Sequence, residues 1–348
     1  MTSFRTLTVN DRPQNVQDEG NHMRAVVSRT YGPPDVARIE EVPTPVPKDH
    51  EVLIRNCATV VSGAESTARR GDTFAGRLYF GLIRPRFPVL GTSFAGVVEA
   101  VGASVTKFVV GDHVMGSVGP RMGAHAEFVC TSEHGIIAMK PSGLSFADAV
   151  AIFDGALTAL PFLRDTARLA HGQSILINGA SGAIGTAAVQ LAKHFGAVIT
   201  AVTSTSNVDL VKSLGADHVI DYKKEDFTRS GLTYDIIFDT VGTSSYGRCS
   251  PLLRAGGVYM TSVVSLPILA QMAWTTRFGA TRAAIAFAGL RKAPAMATDV
   301  AYMGHLANAG VYVPVIEKSY TMEEASAAHA HVETGRKKGS VVVTLTDA

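Results

Sequence analysis

The sequence predicts an α/β protein: a doubly wound parallel sheet joined to a β-rich unit that both ends of the chain help to build. Three observations carry that reading. Residues 174–196, S-I-L-I-N-G-A-S-G-A-I-G-T-A-A-V-Q-L-A-K-H-F-G, give an apolar strand, a glycine turn and an amphipathic helix in that order. Beyond Arg164, strand and helix patterns alternate strictly, as a parallel sheet covered by helices requires. Short β runs bounded by glycine and proline precede this region, and β character returns after Gly310.

At 348 residues the chain is long for one core, so two domains are expected. Its 46% hydrophobic and 18% charged residues are ordinary for a compact globular chain. A net charge of +2 makes no broad basic field, which argues against nucleic acid as a partner. Cys57, Cys130 and Cys249 lie far apart without C-x-x-C spacing; this excludes a four-cysteine zinc lobe and fits a reducing compartment. Residues 1–22 are polar, mix both charges and lack an apolar stretch, so they read as a disordered extension rather than a targeting peptide. The apolar run 266–274 is too short to span a bilayer and is followed by Arg277 and Arg282. No membrane partner is expected, and the location reads as cytoplasmic.

In chain order, β runs at 24–29, 36–42 and 51–61 are separated by Pro33, Pro34, Pro43, Pro45 and Pro47, which cannot donate to a ladder. Further β runs follow at 91–101, 111–116 and 125–130, then a helical pattern at 147–164. The alternating region offers strands at 174–178, 198–203, 218–221, 234–241, 257–264 and 282–287, with helices such as 184–195 and 207–214 between them. The last stretch reads as a strand at 311–316, a helix at 322–334 and a strand at 340–346.

The glycine turn carries the chemistry. Gly182 lets backbone N–H groups approach a pyrophosphate, Gly185 lets the helix pack on its strand, and the helix N-terminus attracts the anion. The motif has Ala180 in its first slot, and strand and helix flank it as a dinucleotide site demands. Ser181, Gly182, Ala183, Ile184 and Gly185 are therefore the candidate phosphate contacts. An NAD site would place an acid at the end of the next strand; residues 201–207 contain none, and the first carboxylate is Asp209. Thr203, Ser204 and Asn207 offer hydrogen bonds to a 2′-phosphate instead, so NADPH is expected over NADH.

Several stretches then resemble one family: 91–102 (G-T-S-F-A-G-V-V-E-A-V-G), 111–114 (G-D-H-V), 123–128, 157–159 (L-T-A), 214–222 (L-G-A-D-H-V-I-D-Y), 238–242 (F-D-T-V-G) and 329–343. Together with the glycine turn they make the chain similar to the medium-chain dehydrogenase/reductase superfamily, over nearly everything after Met23. Within it the zinc-free quinone oxidoreductase branch is the better match. Val61 and Thr92 stand where zinc-dependent relatives have cysteine and histidine, so no catalytic metal is expected. His113 reads as a turn residue, and His125 occupies a slot often held by tyrosine.

The resemblance implies a Rossmann NADP(H)-binding domain at 155–308 and a GroES-like catalytic domain from 23–154 and 309–348. It implies Thr158 near the carboxamide, residues 239–242 with Val241 below the ribose, and residues 261–265 with Val263 along the nicotinamide. Tyr222 and Lys223 would lie at the adenine and its phosphate. Ser62 and Glu65 would face the substrate and Tyr79 would serve as a lid; their plain structural readings are a turn cap, a surface acid and a packed aromatic. Ser62 and Ser93 replace an asparagine and an aspartate of the branch pattern. The implied activity is NADPH-dependent, zinc-independent hydride transfer to quinones or α,β-unsaturated carbonyls. A metal-independent carbonyl reductase or alcohol dehydrogenase and a non-enzymatic NADPH-binding protein are the alternatives. A homodimer through 282–287 is implied, and the segment around Trp274 is a pocket wall, a dimer contact or core.

Overall fold

A computed structural model describes residues 22–346; the expected N-terminal extension lies outside them except for His22, which opens the first strand. Strands β1 (His22–Val27) and β2 (Arg38–Pro43) form an antiparallel ribbon. Then come β3 (Glu51–Val60), α1 (Gly63–Arg70), α2 (Phe74–Phe80), β4 (Ser93–Val101), β5 (His113–Ser117), β6 (Phe128–Ser132) and β7 (Ile136–Met139). Helix α3 (Phe146–Pro161) leads into the alternating region: β8 (Ser174–Asn178), α4 (Ala183–His194), β9 (Val198–Thr203), α5 (Val208–Ser213), β10 (His218–Asp221) and β11 (Tyr234–Asp239). It continues with α6 (Tyr246–Cys249), β12 (Leu253–Thr261), α7 (Leu266–Phe278), β13 (Arg282–Ala284) and α8 (Ala293–Asn308). Strand β14 (Ile316–Thr321), α9 (Ala325–Glu333) and β15 (Ser340–Thr344) close the described chain.

Six parallel strands form one sheet in the order β10-β9-β8-β11-β12-β13. The strand order reverses between β8 and β11, so their carboxyl ends flank the crevice where such sheets bind ligands. The second sheet runs β14-β15-β3-β4-β5-β7, with β6 also paired to β3. Its strands come from both ends of the chain, β15 lying between β14 and β3. This is the GroES-like plus Rossmann architecture that the sequence predicts.

Helix α3 joins the two sheets. It packs on α4 and α8 on one side and on β3, β4 and β15 on the other, so one apolar core runs from Val60 and Met115 through Ile152 and Leu160 to Ile177 and Phe238. Residues 146–167 are apolar and long enough to cross a membrane, yet most of this helix is buried inside the protein. The chain passes Pro161 into a wider helical turn at Phe162–Thr166, consistent with the donor that proline removes.

Four strand expectations need correction. Residues 311–315 form no strand: the N–H and C=O of Val313 bond the Gln190 side chain of α4 at 2.8 and 3.0 Å, and Pro314 follows. The sixth strand is only Arg282–Ala284, and the strands ending at 241 and 264 stop at Asp239 and Thr261, where each turns into a loop. Helices α1, α2 and α8 are absent from the sequence reading; α1 and α2 are short, and α8 lacks a capping side chain.

Candidate active site

Strand β8 ends on Asn178, and Gly179 turns at φ +80°, a conformation costly for other residues. Gly182 is the N-cap of α4 with no side chain capping the helix, so its first N–H groups stay open to an anion. A Cβ on Gly185 would lie 2.1 Å from the Gly179 carbonyl, whereas a Cβ on Gly182 would meet only that oxygen, at 3.7 Å. Gly185 therefore serves helix packing and Gly182 keeps the face of the turn open. This cradle fits a dinucleotide pyrophosphate.

Two elements brace the turn. Ser181 Oγ accepts from Thr203 Oγ1 at 3.0 Å and Asn207 Nδ2 at 2.9 Å, which ties the end of β9 to the glycine turn. Gly339 donates its N–H to the Ser181 carbonyl at 2.9 Å, and a bridge links Gly182 to Gly339 just before β15. The structure thus gathers Ser181–Gly185, Thr203 and Asn207, but it turns Thr203 and Asn207 toward Ser181. Ser204 stands one step further out, with its Oγ 3.3 Å from Ser206 Oγ. Tyr222 and Lys223 follow β10 and are exposed. The sequence reading missed Asp221, which accepts from Thr205 Oγ1 at 2.6 Å and from the Lys223 amide. Those hydrogen bonds, the Thr205 hydroxyl first, hold its carboxyl below the usual range.

Across the crevice, Asp239 is fully buried. Its oxygens accept from the amides of Val241, Gly242 and Ser244, from Asn178 Nδ2 and from the Tyr259 hydroxyl. The carboxylate thereby shapes the 240–244 loop from beneath. Val241 borders the glycine turn, since a Cβ on Gly179 would meet its Cγ1 at 2.6 Å, and Val263 packs against Gly242. Both valines keep nearly half their surface open. Thr158, half-buried on α3, lies one turn beyond Asp154, which is ion-paired to Lys337 across the join between the sheets.

Glu65 requires the largest correction. Its side chain is 1% exposed, so it neither faces a substrate nor sits on the surface. Oε2 accepts from the Ser62 amide at 3.0 Å, and Oε1 accepts from the Thr92 amide at 2.6 Å and hydroxyl at 2.7 Å. Ser62 caps α1 in return, its Oγ accepting from the Glu65 amide at 3.2 Å. The S-x-x-E spacing of a capping box is a local sequence signal for this arrangement. Ser62 keeps its own hydroxyl proton available, because Oγ acts here only as an acceptor. Val61 packs in an apolar cluster and Thr92 is committed to Glu65, so neither zinc-ligand slot supplies a ligand. Tyr79 is half exposed on α2, edge-on to Phe80 with ring centroids 5.0 Å apart.

Next to Glu65 lies a buried histidine pair, His125 and His329, which the sequence reading did not bring together. His125 Nε2 is 3.0 Å from the Val60 carbonyl and 3.9 Å from Glu65 Oε2. The His329 ring is 5.6 Å from that of His125, and among the described residues neither His329 nitrogen has a hydrogen-bond partner. Burial, then electrostatic repulsion from His125 and Arg69, pushes the His329 pKa down to about 2.

Comparison with known proteins agrees with this geometry. Residues 48–152 match the alcohol dehydrogenase GroES-like domain, and residues 214–343 match the zinc-binding dehydrogenase family. The chain is 32% identical over 337 residues to 2-methylene-furan-3-one reductase of Solanum lycopersicum, covering 93% of this chain and 79% of that one. It is 34% identical over 257 residues to an NADPH-dependent alkenal/one oxidoreductase, chloroplastic, of Arabidopsis thaliana, covering 70% and 64% of the two. The quinone oxidoreductase structure from Coxiella burnetii superposes with a TM-score of 0.84 at 28% identity, covering 94% of this chain and all of that one. Glycine cradle, paired sheets and relatives agree: the chain is an oxidoreductase belonging to the medium-chain dehydrogenase/reductase superfamily, in its quinone oxidoreductase-like branch.

Proposed function

We propose that the chain is an NADPH-dependent, zinc-independent reductase of quinones or α,β-unsaturated carbonyls. One observation carries the reading furthest: an uncapped helix N-terminus stands beside a loop, 203–207, that bears hydroxyls and an amide but no carboxylate. The alkenal/one and quinone reductases among its relatives support the same substrate class.

When bound, NADPH would supply a hydride. The α4 amides and Ser181 would hold the pyrophosphate, and Ser204, Tyr222 and Lys223 the adenosine phosphate, with Asn207 bracing Ser181 from behind. Val241 and Val263 offer an apolar wall for the nicotinamide, with Thr158 on its polar edge. Ser62 would donate to the substrate oxygen as negative charge develops there, and its capping box with Glu65 would hold it in place. Conjugation spreads that charge, which lets one hydroxyl serve without a metal.

The same proposal divides the chain into a catalytic domain at 23–154 and 309–348 and a nucleotide-binding domain at 155–308. It includes a homodimer through the unpaired outer edge of β13, where Trp274, Phe278 and Leu290 are exposed; that exposure removes the core reading of Trp274. The cysteine spacing, with Cys57, Cys130 and Cys249 far apart and no C-x-x-C pattern, supports a reducing, cytoplasmic setting.

NADPH and NADH oxidation followed with a quinone, an enone, an aldehyde and an alcohol tests the reading. The expected result is turnover of the first two, with kcat/KM roughly tenfold or more higher for NADPH. A preference for NADH, or turnover of the alcohol alone, would overturn it.

A further inference from the structure

We propose that His50, Glu133 and His134 form a divalent transition-metal site, suited first to zinc, at the end of the second sheet remote from the crevice. Their ligand atoms lie within 4.8 Å of one another although residue 50 is far from the other two in sequence. Glu133 Oε1 is 3.4 Å from His50 Nδ1 and 3.7 Å from His134 Nε2. A tetrahedral zinc with bonds of about 2.0–2.1 Å holds neighbouring ligand atoms about 3.3 Å apart, so only a small inward turn of two exposed imidazoles is needed.

The carboxylate is the rigid arm of the site. Its side chain is 1% exposed, and Oε2 accepts from the amides of Thr106 at 2.9 Å and Lys107 at 3.0 Å. Oε1 is left facing both rings. The backbone around it is fixed as well: Glu133 donates its N–H to the His50 carbonyl at 2.9 Å, and Ser132 Oγ accepts from the His134 amide at 3.2 Å. Two imidazole nitrogens and one carboxylate oxygen suit zinc, cobalt or nickel, and too few oxygens are present for calcium or magnesium. A fourth position faces solvent, since both histidine side chains are more than half exposed.

Lys107 is an unfavourable neighbour, with Nζ 3.1 Å from His134 Nδ1. Its flexible stem must swing aside as the ion binds. Strand β3 separates the site from Ser62 by ten residues, roughly 30 Å at the usual rise. The ion would therefore pin the turn before β3, the 102–107 loop and the β6–β7 turn, far from any reacting atom.

Calorimetric titration of the chelator-stripped full chain with zinc chloride tests this. One saturable site is expected, weakened roughly tenfold or more by His50→Ala or by His134→Ala, and tightened by Lys107→Met. Cobalt added to the unmodified chain should give intense visible bands of a tetrahedral site, a readout independent of the variants. No saturable zinc binding at about 100 μM, binding unchanged in the double histidine variant, or a cobalt spectrum like that of the aqueous ion would each overturn the proposal.

Discussion

Glu65 satisfies two partly buried amides and a hydroxyl at once, so its removal leaves three donors without their acceptor. Glu65→Ala is expected to cost about 2–4 kcal/mol in urea unfolding, with Glu65→Gln intermediate because one carbonyl oxygen survives. A loss below about 0.5 kcal/mol would refute the bracing role. His329 gives a pH signature. Its folded pKa is lowered to about 2, while in the unfolded chain the group titrates near the ordinary histidine value of about 6.5, so below pH 6.5 the unfolded state binds the extra proton. Stability falls as pH drops from 6.5 toward 2, by up to about 1.4 kcal/mol per unit. Between pH 6.5 and 5 ordinary carboxylates barely titrate, and His329→Leu should flatten the slope of melting temperature there. An unchanged slope would locate the titration elsewhere.

At the scale of elements, the strand, glycine turn and helix separate two roles that a motif alone merges. Gly185→Ala forces a Cβ into the Gly179 carbonyl and should destabilise the fold by more than about 2 kcal/mol. Gly182→Ala meets no obstacle inside the protein, so it should melt within a few degrees of the parent while losing roughly tenfold or more in NADPH affinity. Equal effects of both substitutions on melting would contradict this division. This part was legible in the sequence because every contact it needs lies within a short stretch of chain. The inward turn of Asp239 was not, since its ligands Asn178 and Tyr259 lie on neighbouring strands. Likewise Glu65 meets Thr92 only after β4 has paired with β3, and nothing near residue 92 announces it. The strand expected at 311–316 failed for the same reason: a side chain on α4 takes its hydrogen bonds.

For the whole molecule, the Asp154–Lys337 pair spans the join between α3 and the segment before β15, with both side chains largely buried. Lys337→Ala strands a buried carboxylate and should cost about 3 kcal/mol; adding Asp154→Asn should restore part of it, as a thermal-melt cycle would read. Additive losses in that cycle would mean the pair is not coupled. The position of β15 has a different consequence, in the order of synthesis. Residues 342–344 pair with residues 58–60, about 280 residues upstream. At 5–20 residues per second, β3 therefore waits roughly 15–55 s on the ribosome for that partner. The parallel sheet, complete by residue 284, can form during the wait. The part of the protein made first is thus finished last, with one β3 edge open to holding chaperones or to wrong strand partners until the tail emerges.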